Sequence, residues 1–512
     1  MPLHPIKIKR NFFLHKDMNF NELLNLLSSD NARNICVDSR AVRDGDIFVA
    51  VKGTACDGHD FIDQALDNGA EYIVCQSNPD RYDGWQPQAQ LGDGSLQASN
   101  IETILVDDST EAAALLAQTL RGNPASQLTN LAVTGTNGKT TVAYLVRSCI
   151  RQAGQKCGLL GTVIYDTCSG KSCEAVLTTP DCMTIAAGQQ QMLKNGAKYM
   201  IIEASSHALS QNRLAGISFK AAAFTNLAGD HLDYHKTEED YLTAKTRLFS
   251  ALSPDAVAVL NKQSPHAVSI AKQTKAEILW YSIDAPADIT AHIESMDTGG
   301  TVFNMDCAGQ SAIVKTPLLG LYNVSNCIAA AGLCLAAGLD LQTIATGLSA
   351  LKTIPGRLEK IDFNCDFSVL VDYAHTDDAL KNVLSTLKPL CKGKLIAVFG
   401  CGGDRDKTKR PRMAQVAEQL ADFIIVTSDN PRTENPDEII KDIIPGFQNP
   451  DSQTIQIEPD RKKAIASAIK STGKNDIVLI AGKGHETYQI IGKQKFDFSD
   501  KQIAQEYLKK LK

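Results

Sequence analysis

"VTGTNGKTT", residues 133–141, decides how the rest of the chain is read. It follows an apolar run, "LTNLAVT" (128–134), and leads into a helical pattern from about Lys139. The usual phosphate-binding loop is G-x-x-x-x-G-K-[ST]. Here Val133 stands where its first glycine would be, and Gly135 and Gly138 are only three residues apart. The strand–loop–helix setting still favours an anion, because backbone N–H groups and the helix dipole point at it. Gly135 and Gly138 allow close backbone approach, Lys139 can neutralise phosphate charge, and the Thr140 hydroxyl can ligate magnesium. Gly135, Thr136, Asn137, Gly138, Lys139, Thr140 and Thr141 are therefore the expected triphosphate cradle. The plain alternative is a glycine turn before a helix with a surface lysine.

The chain has 512 residues, a length that suggests about three domains. Hydrophobic residues make up 43% and charged residues 21%, an ordinary globular balance. With 52 Lys and Arg against 58 Asp and Glu, the net charge is −6. No general basic field exists to attract nucleic acid or anionic lipid. The 14 cysteines form no C-x-x-C pair, which argues against a zinc ribbon or a thioredoxin-type site. Several, such as Cys149, Cys327 and Cys334, sit in apolar segments as small hydrophobes. The basic N-terminus lacks the apolar core of a signal peptide. No apolar run reaches the length of a membrane span, and a cytoplasmic location is expected.

Apolar runs alternate with helical patterns nearly throughout, so the fold class is α/β with parallel sheets. Three domains are expected, at 1–107, 108–354 and 355–512, the last break falling at the Pro-Gly of "TIPGR" (353–357). Residues 79–100 are polar and turn-rich, and read as a surface loop. In the last domain, "FSVLVDYAHT", "KLIAVFGCGGDRD", "DFIIVTSDNPRT" and "DIVLIAGKGHE" each read as a strand, a polar cluster and then a helix. Ligands of open α/β sheets sit beyond the carboxyl ends of the strands, so four such clusters point to one composite site.

Glu203 closes the apolar run "KYMIIEA" and is well placed to hold magnesium near the loop; the alternative is a strand-end acid facing solvent. "TNLAGDHLDYH" (225–235) is dense in Asp and His, and by itself could be a satisfied polar loop. Lys245, in "YLTAKTRLF", reads by itself as one lysine of a solvated helix face.

Taken in order, "VDSRAVRDGDIFVAVKGTACDGHDF", "TGTNGKTT", "EASSH", "TNLAGDHLDYH", "YLTAKTRLF", "LLGLYNVSNCIAAA", "PGRLE" and "VDYAHT" span the chain. In this set it resembles the Mur ligases, the ATP-dependent amide-forming family of bacterial cell-wall synthesis. The resemblance implies an N-terminal UDP-binding domain, a central P-loop-type ATPase domain and a C-terminal Rossmann-like domain. It implies that the short loop holds ATP and that a substrate carboxylate receives the γ-phosphoryl group. An amine then attacks the acyl phosphate.

The resemblance also makes Glu203 and His231 magnesium ligands, and makes Lys245 a carbamate supporting a second magnesium. Asn323, Asn326, Arg357 and Asp372 become nucleotide contacts. Ser39, Arg40 and the stretch Gly53, Thr54, Ala55 and Cys56 would surround the uridine diphosphate. Thr178, Thr179, Ser205, Gln211 and Arg213 would meet the muramoyl dipeptide, with Asn137 between both substrates. "DNPR" (429–432) and "GKGHE" (482–486) resemble family members that add meso-diaminopimelate. There Arg432 would hold the distal carboxylate as a planar fork and Glu486 the ammonium. Arg405, Asp429, Asn430, Pro431 and Gly482 would complete the pocket. A monomer is expected.

The chain departs from the family pattern at Asp377, where proline is expected, at Phe498, where an acid is expected, and in "TAC" at 54–56. The rival readings are a lysine-adding relative, which would not need Arg432, and a folylpolyglutamate synthetase-like ligase. A dehydrogenase is disfavoured because "FGCGGD" (399–404) is followed by Arg405 where a third glycine belongs. A non-catalytic nucleotide-binding scaffold is the last rival.

Overall fold

The structure, a computed structural model, describes residues 18–29, 33–53, 56–76, 88–90, 96–98, 101–229 and 232–511. The chain divides into two compact units: Met1–Ala125 with Asp181–Gln190 and Gln211–Gly216, and Ser126–Pro180 with Gln191–Ser210 and Ile217–Lys512.

The first unit is built on a parallel sheet ordered Ile35–Cys36, Ile47–Val49, Tyr72–Cys75, Glu102–Leu105. Alternation along its strands feeds two cores. Ile47, Val49 and Val74 pack with Leu23, Leu27 and Leu116 of the helices Phe20–Ser29 and Ser109–Leu120. Phe48, Ile73 and Cys75 pack on the other face with Ile62 and Ala65. Asp108 caps the helix Ser109–Leu120 by accepting from the backbone N–H groups of Thr110 and Glu111. Within the segment read as a surface loop, Gln88–Gln90 and Leu96–Ala98 form a short antiparallel pair; 79–87, 91–95 and 99–100 lie outside the described residues.

In the second unit, six parallel strands run in the order Cys157–Leu160, Tyr199–Glu203, Thr129–Thr134, Phe219–Phe224, Val257–Asn261, Glu277–Ser282. The glycine-loop strand is third, buried between neighbours. Its helix, Lys139–Gln152, packs against Leu321–Ala336 and Leu341–Ala350. A Cβ on Gly347 would lie 2.4 Å from Cys149 Cα, so glycine lets those backbones touch. The parallel reading needs an addition: Ile289–Asp297, Gly300–Cys307 and Gln310–Thr316 form an antiparallel meander on the sheet edge. Its two tight glycine turns and alternating burial were readable signals.

A second sheet in this unit is ordered Glu359–Lys360, Ser368–Asp372, Ile477–Ala481, Leu395–Phe399, Phe423–Val426, Ile455–Ile457. All its pairings are parallel except that of the first strand. Three of the four strand–cluster–helix segments fold as read. Asp377 takes the first position of the helix Asp377–Leu387, behind the Thr376 cap, and pairs with Arg412 at 3.0 Å. That position tolerates either proline or an acid, the acid meeting the helix dipole. The fourth segment differs: Ile477–Ala481 is followed by a hairpin, Tyr488–Ile491 with Gln494–Asp497, and not by a helix. Gly492, at φ +61°, makes the tight turn that selects it.

All 14 cysteines are free thiols. No helix among the described residues is long and apolar enough to cross a membrane.

Arg461 and Asp500 are both fully buried and form a two-pronged pair at 2.8 and 2.7 Å. Arg461 also donates to the Ala481 and Ser428 carbonyls, tying two helices to the strand ends. Removing one partner strands a buried charge. Asp500→Ala should lower the unfolding free energy by about 3–5 kcal/mol, read from the urea midpoint. An unmoved midpoint would refute this role for the pair.

Candidate functional site

Val133 is a core residue of its strand, fully buried, so the loop turns two residues later than in the longer motif. Gly135 lies at φ +147° and Gly138 at φ +91°. A Cβ on Gly135 would sit 1.9 Å from Thr225 Oγ1, and one on Gly138 would sit 2.3 Å from Asn326 Oδ1. The "TNLA" start of the acid-rich segment holds the loop. Thr136 N–H donates to the Asn226 carbonyl and Asn137 N–H to Asn226 Oδ1, each at 2.9 Å. Thr225 Oγ1 donates to the Asn137 carbonyl at 2.6 Å. His231 lies outside the described residues.

Lys139 Nζ donates to the carbonyls of Gly135 at 2.8 Å and Thr136 at 2.9 Å. Lys245 Nζ also donates to Gly135 O, at 2.9 Å, and lies 4.2 Å from the Tyr241 ring centroid. The solvated-face reading of Lys245 is therefore corrected, since the residue is only 1% exposed. Tyr241, Ala244, Lys245 and Leu248 are all buried on the helix Glu238–Ser250. Their i, i+3, i+4, i+7 spacing was the available signal.

Glu203 is fully buried. Its Oε1 accepts from Thr162 N–H at 2.9 Å, and its Oε2 from the hydroxyls of Thr162 at 2.8 Å and Thr140 at 3.0 Å. It is no solvent-facing acid. Arg357 Nη2 donates to Thr140 Oγ1 at 3.2 Å. A carboxylate and hydroxyls are hard oxygen donors, and they fit magnesium, which keeps several waters and needs few protein ligands. No cluster of three or more His, Cys, Asp or Glu suited to a metal occurs among the described residues. Thr179 backs the strand end by donating to the Glu203 carbonyl and contacting Ser205 Oγ; Thr178 Oγ1 lies 3.1 Å from Thr162 Oγ1.

A cavity of about 610 Å³ opens from the loop toward Asn323, Asn326, Arg357 and Asp372. Asn326 Nδ2 donates to Asn323 Oδ1 at 3.2 Å. Asp372 accepts from Leu358 N–H at 2.6 Å and Ala374 N–H at 2.7 Å. Burial raises its pKa, while Arg357 and these amides pull the other way. Sequence reasoning passed over Asp378, which accepts from Asn137 Nδ2 at 3.0 Å across the cavity mouth. It also passed over His485, whose ring lies 5.2 Å from that of Tyr373. Burial, then the Arg357 charge, push the His485 pKa down to about 3.

The polar clusters at the strand ends meet. Gly403 N–H donates to Asn430 O at 2.9 Å, and Arg432 Nη1 to Gly403 O at 2.7 Å. Arg432 adopts φ +51°, uncommon for a side-chain-bearing residue. A Cβ on Gly403 would strike the Pro431 carbonyl at 1.9 Å, and one on Gly482 would reach Asp429 Oδ2 at 2.5 Å. Gly482 N–H donates to Asp372 O, joining the fourth cluster. Glu486 is not waiting alone for a cation: Lys483 Nζ lies 2.9 Å from its Oε2, and Asn430 Nδ2 donates to the same oxygen at 2.8 Å. Arg405 is exposed and donates to the Asp404 carbonyl.

On the first unit, buried Ser39 donates to Gln64 Oε1 at 2.7 Å. Exposed Arg40 pairs with Asp38 at 2.7 Å. Gly53 N–H donates to the carbonyl of exposed Cys56; Thr54 and Ala55 lie outside the described residues. Arg213 donates to Gln211 Oε1 through Nε at 3.0 Å and Nη2 at 2.6 Å.

Residues 31–120 match the catalytic domain of the Mur ligase family, 133–334 the Mur ligase middle domain, and 356–484 the Mur ligase glutamate ligase domain. A relative from Bacillus licheniformis, named UDP-N-acetylmuramoyl-L-alanyl-D-glutamate–2,6-diaminopimelate ligase, is 42% identical over 94% of this chain and 95% of its own. The chain belongs to the Mur ligase family. A solved structure bearing the same enzyme name superposes with a TM-score of 0.65 at 35% identity, covering 93% of this chain and 95% of that one. The MurF ligase of Thermotoga maritima, solved in complex with ADP, shares the fold with a TM-score of 0.59 at 20% identity. It covers 94% of this chain and 99% of its own. The three-domain α/β architecture of this Mur ligase accords with these neighbours.

Because His485 is held neutral in the fold but takes a proton near pH 6.5 when unfolded, its contribution to stability is lost as pH falls from about 6.5 toward 3. His485→Gln should remove up to about 1.4 kcal/mol per pH unit from the acid slope of unfolding free energy across that window. Denaturant titrations at stepped pH read the slope. Parallel slopes for the two proteins would count against a neutral buried imidazole.

Proposed function

We propose that this Mur ligase joins meso-2,6-diaminopimelate to UDP-N-acetylmuramoyl-L-alanyl-D-glutamate at the expense of ATP, forming the tripeptide precursor of peptidoglycan. The observation that carries the reading is Arg432, turned by its left-handed backbone into the junction of strand ends that also holds Asn430 and Glu486. A guanidinium beside a carboxylate matches an amino acid end that carries both charges. The relatives' names support the same substrates.

In this reading the cavity takes ATP. Lys139 leaves its resting contacts on the loop carbonyls and meets the phosphates, with Arg357 supplying charge beside Thr140. Asn323 and Asn326 line the nucleotide, and Asp372 holds the ribose. Thr140 and Glu203, with His231 by the family resemblance, would hold magnesium, which would supply charge neutralisation between the anionic reactants. Lys245 as a carbamate would add an anion for a second ion, and would exchange its donation to Gly135 O for that role. The glutamyl carboxylate oxygen attacks the γ-phosphorus and ADP departs. The free amine of the diamino acid then adds to the acyl carbon, and the tetrahedral intermediate expels phosphate as its C–O bond breaks and nitrogen loses a proton. Orientation and water exclusion are the protein's main contributions, since exposed acyl phosphate hydrolyses.

Ser39, Arg40, Gly53, Thr54, Ala55 and Cys56 form the uridine diphosphate end. Thr178, Thr179, Ser205, Gln211 and Arg213 are assigned to the muramoyl dipeptide, and Asn137 to both substrates, by the family resemblance. Arg405, Asp429, Pro431 and Gly482 complete the diaminopimelate pocket. Domain limits of 1–107, 108–354 and 355–512, a monomer and a cytoplasmic location belong to the same reading.

Phosphate release from ATP, measured with the dipeptide nucleotide and a panel of diamino acids, tests it. Diaminopimelate should support turnover and lysine should not; equal rates would remove the role of Arg432. Arg432→Ala should raise KM for diaminopimelate by about 10- to 100-fold, with KM for ATP little changed. Lys139→Ala should abolish acyl-phosphate formation, and ordinary turnover by that variant would overturn the loop assignment.

A further inference from the structure

Lys483 lies in the strand-end junction with its side chain fully buried. Leaving an ammonium out of water is costly unless it is paired and hydrogen-bonded. Here it is both: Nζ donates to Glu486 Oε2 at 2.9 Å and to Asn430 Oδ1 at 3.0 Å. Asn430 Oδ1 also accepts from Ile490 N–H at 3.0 Å, while its Nδ2 donates to Glu486 Oε2 at 2.8 Å. An amide can present either end to a neighbour. The ammonium decides the matter, because only a carbonyl oxygen can face it. Glu486 Oε1 makes no hydrogen bond among the described residues, and the Glu486 side chain is 14% exposed. One carboxylate oxygen is therefore anchored by two donors, and the other is left for a ligand. Gly482, at φ +116°, and Gly484, at φ +55°, give the backbone on either side of Lys483 the turns that send its side chain inward.

We propose that Lys483 is a positioning residue for the diamino acid, fixing Glu486 directly and through the amide orientation of Asn430, so that Glu486 Oε1 receives the ligand's distal ammonium. This rests on the proposed ligase reading. The ammonium also offsets the Glu486 charge when no ligand is bound. A bare buried carboxylate would instead repel the carboxylate end of a ligand aimed at Arg432.

Steady-state kinetics on the full chain test this. Turnover of the unmodified protein with ATP, the dipeptide nucleotide and diaminopimelate is read first. Its absence removes the functional reading and this proposal with it; its presence leaves the proposal to the variants. Lys483→Met, close in length and uncharged, should raise KM for diaminopimelate about tenfold or more. KM for ATP should stay within about twofold, and the loss should fall on KM more than kcat. A residue serving only stability would lower the active fraction and leave KM alone, so an unmoved KM overturns the proposal. Glu486→Gln and the double variant Lys483→Met/Glu486→Gln supply the second arm, which stands even if Lys483→Met fails to fold, because the double variant leaves no unpaired charge. If Lys483 acts through Glu486, the double variant should match Glu486→Gln in KM for diaminopimelate to within about twofold. A further rise of about tenfold, the two effects multiplying, would overturn it.

Discussion

Thr225 and Asn226 occupy the space that a side chain at Gly135 would need, and Asn326 does the same at Gly138. The site depends on this contact. With the amides of Thr136 and Asn137 committed to Asn226, the cradle for an anion shifts to the start of the helix, where the first helical bond runs from Val142 N–H to Gly138 O. The amides before that bond have no preceding helical carbonyl to meet. A loop shortened on its strand side therefore keeps the unpaired amides of a helix start and replaces the missing turn with a tertiary clamp. The clamp comes from the strand next in the sheet, Phe219–Phe224, so sheet register and loop shape are one constraint.

The same loop joins the two sheets of the second unit. Arg357 reaches Thr140, Asp378 reaches Asn137, and Gly356 packs so closely on His485 that a Cβ would lie 2.2 Å from its backbone nitrogen. Arg357 and Gly356 belong to the "TIPGR" break, which is thus a connector and part of the site wall at once. Arg357 sits 4.8 Å from the Tyr373 ring centroid, and its charge helps keep His485 neutral. Two like charges in that corner would oppose each other where little water screens them.

What was legible in the sequence followed local rules. A strand, glycines and Lys-Thr gave the loop; an apolar run ending in Glu203 gave a buried acid; four apolar runs with polar ends gave a composite junction. What was not legible depended on partners distant in sequence. A lysine surrounded by Thr, Arg and Asp reads as solvated; Lys245 is instead buried, with the Gly135 carbonyl, 110 residues earlier, accepting its hydrogen bond. The hairpin after Glu486 departs from the strand, cluster and helix layout read for "DIVLIAGKGHE", because Gly492 turns the chain back on itself. Lys483 escaped notice inside a quoted motif because nothing local distinguishes a buried ammonium from an exposed one between two glycines.

A chain of net charge −6 that handles polyanions must place its cations where they count. It does so by burying Lys245 and Lys483 and half-burying Lys139, Arg357 and Arg432. Lys139 and Lys245 converge on one carbonyl of the loop, Arg357 stands over Thr140, and Lys483 and Arg432 lie in the strand-end junction. Each is pre-paired with a carbonyl, a hydroxyl, an amide or an acid, which keeps the empty site from accumulating naked charge. A field spread over the surface would be screened within a Debye length, whereas cations fixed in a poorly hydrated cavity interact strongly and need little reorganisation when an anion arrives. The acidic balance of the whole and the cationic lining of the site are then compatible: the first sets behaviour in bulk solution, and the second acts over a few ångströms, where specificity is decided.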